Sequence, residues 1–206
     1  MEGSLIGVLG IQGDIEKHLA SLARLGARGR RVRAPRDLDG LGGLILPGGE
    51  STTMSKGLVR HELVKPIQEF AEAGGALLGT CAGAILLSRA SRNHPVPTLA
   101  LMDFEAERNA YGTQLDSFIA RADALDAKDA PATPINGQRT AIDWAGFDCV
   151  FIRAPRLCEL GPGVEVLMRV DAEPVLVREG NRFACSFHPE LTDDLRVHGA
   201  LLAALG

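Results

Sequence analysis

Aromatic side chains are scarce, at 4% of 206 residues, with a single Trp and a single Tyr. A core must therefore come from Leu, Val, Ile and Ala, within a 46% hydrophobic composition that suits an ordinary globular chain. No apolar run approaches the roughly 20 residues that a membrane-spanning helix needs. The opening MEGSLIGVLGIQGD lacks a basic leader, which argues against secretion. Lys+Arg 22 against Asp+Glu 26 leaves a net charge of −4. With no basic cluster standing out, a nucleic-acid partner has little support. Cys81, Cys149, Cys158 and Cys185 show no CxxC or His-paired zinc spacing and are expected as free thiols. The expectation is a cytoplasmic protein with no membrane association, folded as one domain over residues 1–206.

Short apolar runs closed by turn residues alternate with helical periodicity through the first ninety residues. Leu5-Ile6-Gly7-Val8-Leu9 reads as a buried strand, followed by a helix capped by Asp14 and ended by Gly26. Strands are predicted at 29–33, 43–46 and 76–79, and helices around 63–70 and 82–88. That alternation predicts an α/β fold, a largely parallel sheet with helices on both faces. Later strands at 149–152, 164–170, 174–177 and 183–187 suggest antiparallel additions at one edge. The stretch 120–146 reads as a surface excursion, and 192–205 as a closing helix capped by Thr192, with Asp193 and Asp194 in its first turn.

Chemistry concentrates at three strand ends. Leu77-Leu78-Gly79-Thr80-Cys81-Ala82-Gly83 runs a strand into Gly-x-Cys-x-Gly and a helix of small residues. This is the form of a nucleophile elbow, in which a sharp turn lifts the side chain above the sheet and small neighbours prevent collision. The helix N-terminus favours a thiolate, and the Ala82 N–H faces the position of an oxyanion. A sulfur nucleophile needs a base and an orienting group. Of five histidines, His18 and His61 are expected on solvated helix faces, His94 in a Pro-rich turn, and His198 inside the last helix. His188 follows a core strand directly in Ser186-Phe187-His188-Pro189-Glu190, and Glu190 two residues on can hold the imidazole tautomer across an extended segment. The third signal is Pro47-Gly48-Gly49-Glu50-Ser51-Thr52-Thr53. Its glycines let backbone N–H groups approach a ligand, but it lacks the Lys of a phosphate-binding loop.

These three blocks resemble those of class I glutamine amidotransferases. With Gly7-Val8-Leu9-Gly10-Ile11-Gln12-Gly13, Glu107-Arg108-Asn109-Ala110-Tyr111-Gly112 and Phe151-Ile152-Arg153-Ala154-Pro155, the chain resembles more narrowly the glutaminase subunits of pyridoxal 5′-phosphate synthase. The resemblance spans nearly the whole chain and implies a flavodoxin-like fold and hydrolysis of L-glutamine to glutamate and ammonia. It implies Cys81 as nucleophile, His188 as base and Glu190 as its orienting partner. Glutamine would be held by Gly48, Gly49, Glu50, Arg108, Ile152 and Arg153, with Ala82 at the oxyanion. It further implies a hetero-oligomer with a ring-forming synthase subunit that receives the ammonia, with no metal and no cofactor. Two departures stand out: Thr113 where the family usually has Arg, and a longer excursion around 126–144. The alternatives are a glutaminase serving another synthase, such as one for imidazole glycerol phosphate or a purine, and a non-catalytic subunit that keeps Cys81 for redox sensing. The intact His188–Glu190 pair argues against the sensor.

Overall fold

A computed structural model describes residues 4–108, 117–123, 133–135, 138–140 and 142–205. The first half is laid down as β1 (Leu5–Leu9), α1 (Ile15–Arg24), β2 (Arg28–Val32), β3 (Gly43–Leu46), α2 (Ser51–Arg60), α3 (Val64–Glu72), β4 (Ala76–Thr80) and α4 (Ala82–Leu87). Then come β5 (Ser88–Arg92), β6 (Met102–Glu107), β7 (Phe118–Arg121), β8 (Thr133–Ile135) and β9 (Gln138–Thr140). The chain closes with β10 (Asp148–Phe151), β11 (Arg156–Cys158), β12 (Glu165–Val170), β13 (Glu173–Glu179), β14 (Arg182–Cys185) and α5 (Arg196–Ala203).

The principal sheet has the order β12-β13-β14-β4-β3-β1-β2. Its β2, β1, β3, β4 and β14 run parallel, while β13 and β12 add antiparallel at one edge. The sheet is therefore mostly parallel with an antiparallel edge, as the alternation of strand and helix predicts. Every residue of β3 and β4 is buried, because helices cover both faces. One apolar layer joins Leu46, Leu77, Met54, Ile67 and Phe104; the other joins Ile6, Ile45, Leu78, Leu22, Phe183 and Leu201. Among the described residues no helix is long and apolar enough to cross a membrane.

Several expectations are corrected. The strand at 149–152 does not join the principal sheet: β10 pairs with β7 in a separate ribbon, and β11, β6 and β5 form a small third sheet. The closing helix starts at Arg196, not at 192. Thr192 Oγ1 accepts the Asp194 N–H at 3.3 Å and Asp194 Oδ1 accepts the Arg196 N–H at 3.0 Å, so local side-chain turns replace the first helical turn. Asp14 occupies the N-cap position of α1 without a side-chain capping bond. The excursion is not wholly superficial, since Ala122 and Trp144 are buried in the second apolar layer. Asn109 to Gln114, including Thr113, lie outside the described residues.

The outer edge strand also carries basic residues in greater density than the sequence reading allowed, at Arg28, Arg30 and Arg31, with Arg33 just beyond. Most of this charge is spent locally. Arg30 donates to the Asp37 and Asp39 carbonyls, Arg31 pairs with Glu16, and Arg33 donates to the Gly10 carbonyl. A charged edge of this kind discourages strand-to-strand association.

Candidate active site

Adjacent strands β3, β4 and β14 end at one rim. In parallel register Leu46 lies beside Gly79, and Thr80 beside Cys185. The segments that leave these ends therefore meet above the sheet, where open α/β folds bind ligands. Gly48 and Gly49 leave β3, Cys81 leaves β4 and His188 leaves β14. A cavity of about 300 Å³ opens there. It is lined by eight of the ten expected site residues: Gly49, Glu50, Cys81, Ala82, Arg108, Ile152, Arg153 and His188. Gly48 and Glu190 both stand against the His188 ring, Gly48 packed close to Cε1 and Glu190 bonded to Nδ1.

Cys81 sits at the strand-to-helix corner with φ 50° and ψ −105°, a strained conformation for a side-chain-bearing residue. Its N–H is anchored on the Cys185 carbonyl at 2.8 Å, which ties the corner to β14. The flanking glycines are required by close approach. A methyl on Gly79 would lie 2.6 Å from the Gly83 carbonyl oxygen, and one on Gly83 would overlap the Leu46 carbonyl. Both are backbone atoms with no room to yield. The Sγ lies 3.7 Å from the Ile152 carbonyl oxygen, and Cys81 shares the cavity lining with His188. The Ala82 N–H is the first of α4, among those donors that a helix leaves unpaired.

His188 and Glu190 meet as expected, with Nδ1 to Oε1 at 2.8 Å, but not across an extended strand. Pro189–Leu191 forms a 3-10 turn that folds the carboxylate back under the ring. The His188 N–H is fixed on the Val150 carbonyl at 2.9 Å, so β10 positions this imidazole from outside the principal sheet. Burial opposes a charge on His188, yet the neighbouring Cys81 and the bonded Glu190 outweigh it and push the imidazole up to about 10. Burial likewise works against ionised Glu190. The nearby His18 and the His188 hydrogen bond prevail and hold its carboxyl below the usual range.

Around the cavity mouth Glu50 caps α2, accepting the Thr52 and Thr53 N–H groups at 2.9 and 2.7 Å. The Thr52 bond is the main cause that brings its carboxyl down to about 2. Arg108 reaches Glu50 Oε1 and Thr52 Oγ1, each at 3.4 Å, and donates to the His94 carbonyl. The Arg153 guanidinium makes no hydrogen bond or ion pair among the described residues, and its backbone is left-handed at φ 45°. An unspent guanidinium in a cleft is suited to a carboxylate ligand.

Sequence reasoning missed four residues. Gln12 lines the cavity and its Oε1 accepts the Glu50 N–H at 3.1 Å. Ser51, at the N-terminus of α2, is a second such lining residue. His18, expected in solvent, is fully buried, as is His198, and the two bond Nδ1 to Nε2 at 2.9 Å. The signal was available: His18 lies three residues after Ile15 and four before Leu22, on the apolar stripe itself. His61 and His94 are exposed, as expected.

The four thiols differ in reactivity. Burial pushes Cys149 up to about 12, Cys185 far above its ordinary value and Cys158 upward, whereas Cys81 faces the cavity beside an imidazole. A chloroketone analogue of glutamine is expected to modify Cys81 alone in the folded protein, as read by peptide mass spectrometry. Label on Cys149 or Cys185 would contradict this ordering.

A model described as the SNO glutamine amidotransferase family matches residues 8–205. The chain is 44% identical over 193 residues to the pyridoxal 5′-phosphate synthase subunit PdxT of Thermotoga maritima, covering 94% of this chain and 95% of that protein. It is also 44% identical over 206 residues to the PdxT subunit of Deinococcus radiodurans, covering 98% and 97% of the two chains. A solved glutamine amidotransferase matches with TM-score 0.83 at 41% identity, over 98% of each chain. The PurLQS structure from Thermotoga maritima, at 17% identity and TM-score 0.69, shares the fold over the full length of both chains.

Proposed function

The chain belongs to the SNO glutamine amidotransferase family, and from that premise we propose that it is the glutaminase subunit of a pyridoxal 5′-phosphate synthase, hydrolysing L-glutamine at Cys81. The observation that carries the assignment of the site is the His188–Glu190 contact of 2.8 Å, made beside the only thiol that lines the cavity among the described residues. Glu190 binds Nδ1 of His188, leaving Nε2 for the sulfur, and the high proton affinity of His188 suits it to take the thiol proton.

The sulfur attacks the side-chain amide carbon of glutamine, and the C=O π electrons move onto oxygen. The Ala82 N–H and an amide of Gly48 or Gly49 face that oxyanion; removing one such donor costs about 10²–10³ in rate elsewhere. As the C–N bond breaks, His188 gives its proton to the departing nitrogen, releasing ammonia and a γ-glutamyl thioester on Cys81. Water then attacks the thioester and loses a proton to His188. Cleavage of the C–S bond releases glutamate, and the proton returns to the sulfur.

Arg153 is the assigned partner of the substrate carboxylate, because its guanidinium makes no hydrogen bond or ion pair among the described residues while Arg108 is held by Glu50, Thr52 and the His94 carbonyl. Glu50 and Arg108 then shape the substrate-ammonium side, and the Ile152 carbonyl orients the sulfur. Arg153→Ala is expected to raise KM for glutamine by about 10–100-fold with kcat changed little, since uniform binding is what it removes. An unchanged KM would reassign the carboxylate site.

Ammonia passes to a ring-forming synthase subunit within a hetero-oligomer, a reading supported by the names of the relatives. Four free cysteines accord with a reducing cytoplasm. The test is ammonia release from glutamine by this chain mixed with that subunit. Turnover that depends on the partner is expected. Absence of hydrolysis with the partner present would refute the assignment.

A further inference from the structure

Behind the triad, two imidazoles that the mechanism does not use are buried against its carboxylate. We propose that His18 on α1 and His198 on α5 are positioning residues, a relay in which His198 donates to His18 and His18 faces and steadies the Glu190 oxygen that His188 does not hold. This rests on the glutaminase reading of the site.

Glu190 Oε1 is bonded to His188, but Oε2 is buried and has no hydrogen-bond partner among the described residues. A buried carboxylate oxygen left alone is strongly unfavourable. The group facing it is His18, whose Nε2 stands 3.5 Å from Oε2 and 3.5 Å from Thr80 Oγ1. Its other nitrogen, Nδ1, lies 2.9 Å from His198 Nε2. Both rings are fully buried, and burial lowers both imidazoles from their ordinary value; in the neutral form that this favours each ring carries one proton.

One arrangement of those protons sets a donor against the carboxylate. With the proton of His18 on Nε2, it points at Oε2, and Nδ1 accepts from the Nε2–H of His198. The remaining nitrogen, His198 Nδ1, is then a bare lone pair, and it is the ring atom that has no partner among the described residues. The reverse order turns a lone pair of His18 toward the carboxylate, with only the Thr80 hydroxyl at 3.5 Å to donate to it, and leaves an N–H of His198 buried without an acceptor among the described residues. Two penalties fall on one arrangement and neither on the other. The chain therefore runs His198 to His18 to Glu190 to His188, with the carboxylate gripped from both sides.

Other titratable groups border this line. Asp14 stands one turn before His18 on the same helix, Cys185 at the end of β14 faces Glu190, and Cys81 lies beyond His188. None of them donates to Oε2 in the folded chain.

The test is the pH profile of glutamine hydrolysis by the complex with the ring-forming subunit, for wild type, His18→Leu, His18→Gln and His198→Leu. His18→Leu removes the donor from the carboxylate, so Glu190 protonates at higher pH. Its acid limb is expected to move up by about one pH unit and kcat to fall about tenfold, with KM within about twofold. His18→Gln, whose amide donates from the place of Nε2, restores most of both. His198→Leu moves the limb the same way by less, because it frees the His18 tautomer. A folded His18→Leu with the wild-type limb overturns the proposal, as does equal damage by Leu and Gln. If His18→Leu does not fold, an unshifted limb in His198→Leu overturns it. A wild-type complex that releases no ammonia refutes the glutaminase reading instead, and this inference with it.

Discussion

Cys81→Ala is expected to abolish ammonia release from glutamine, a fall of about 10⁵–10⁶-fold, as for loss of a nucleophile in other triad enzymes. The reason is chemical, not structural. The corner at Cys81 is set by backbone, through its N–H on the Cys185 carbonyl and by the glycine contacts on either side. Alanine meets the same backbone strain at φ 50° as cysteine does, so the variant is expected to fold and to bind the proposed synthase subunit as wild type does. Activity assays on the complex, with thermal melting as control, check both halves. Residual turnover at wild-type level would show that another group attacks the amide.

Gly48→Ala is expected to reduce kcat by about 10²-fold with little change in stability, because misplacing a catalytic group by about 1 Å has effects of that size. A methyl at Gly48 would overlap Cε1 of His188 and lie 2.9 Å from Nδ1 and 3.3 Å from Nε2. The ring has few ways to retreat, since Glu190 holds Nδ1 and the Val150 carbonyl holds the backbone N–H. It tilts away from the sulfur, and the Gly48–Gly49 amides shift with it. Gly48 is outside the left-handed region and at the rim of the sheet, so no fold-wide strain follows. Steady-state kinetics with melting curves separates the effects: full activity would mean that the imidazole has slack the structure does not provide, whereas collapse of the melting transition would mean that Gly48 is structural.

The loop of Gly48 and the elbow of Cys81 were legible in sequence because their chemistry is local. A turn, a close approach and a nucleophile all lie within seven residues. The parallel sheet was legible for the same reason, since each strand of the first half is a short apolar run stopped by a turn. What escaped depends on distant contacts. The 149–152 segment has the pattern of a core strand, and only three-dimensional pairing shows that β10 joins β7 and lends a carbonyl to His188. The final helix starts late because Thr192 and Asp194 spend their side chains on local turns, which an apolar stripe cannot reveal. Glu50, read as a ligand for glutamine, lines the cavity and also caps α2 with its carboxylate, a second use that the sequence does not show. His18 and His198, 180 residues apart, become partners only when α1 and α5 pack on the same side of the sheet.

The covalent step can be observed directly. Complex in mid-turnover with amide-labelled glutamine, quenched in acid and digested, should yield a γ-glutamyl adduct on the peptide that contains Cys81, formed after the labelled nitrogen has left. Turnover without that adduct, under conditions where deacylation is slowed enough to trap it, or an adduct on Cys149, Cys158 or Cys185, would contradict the account.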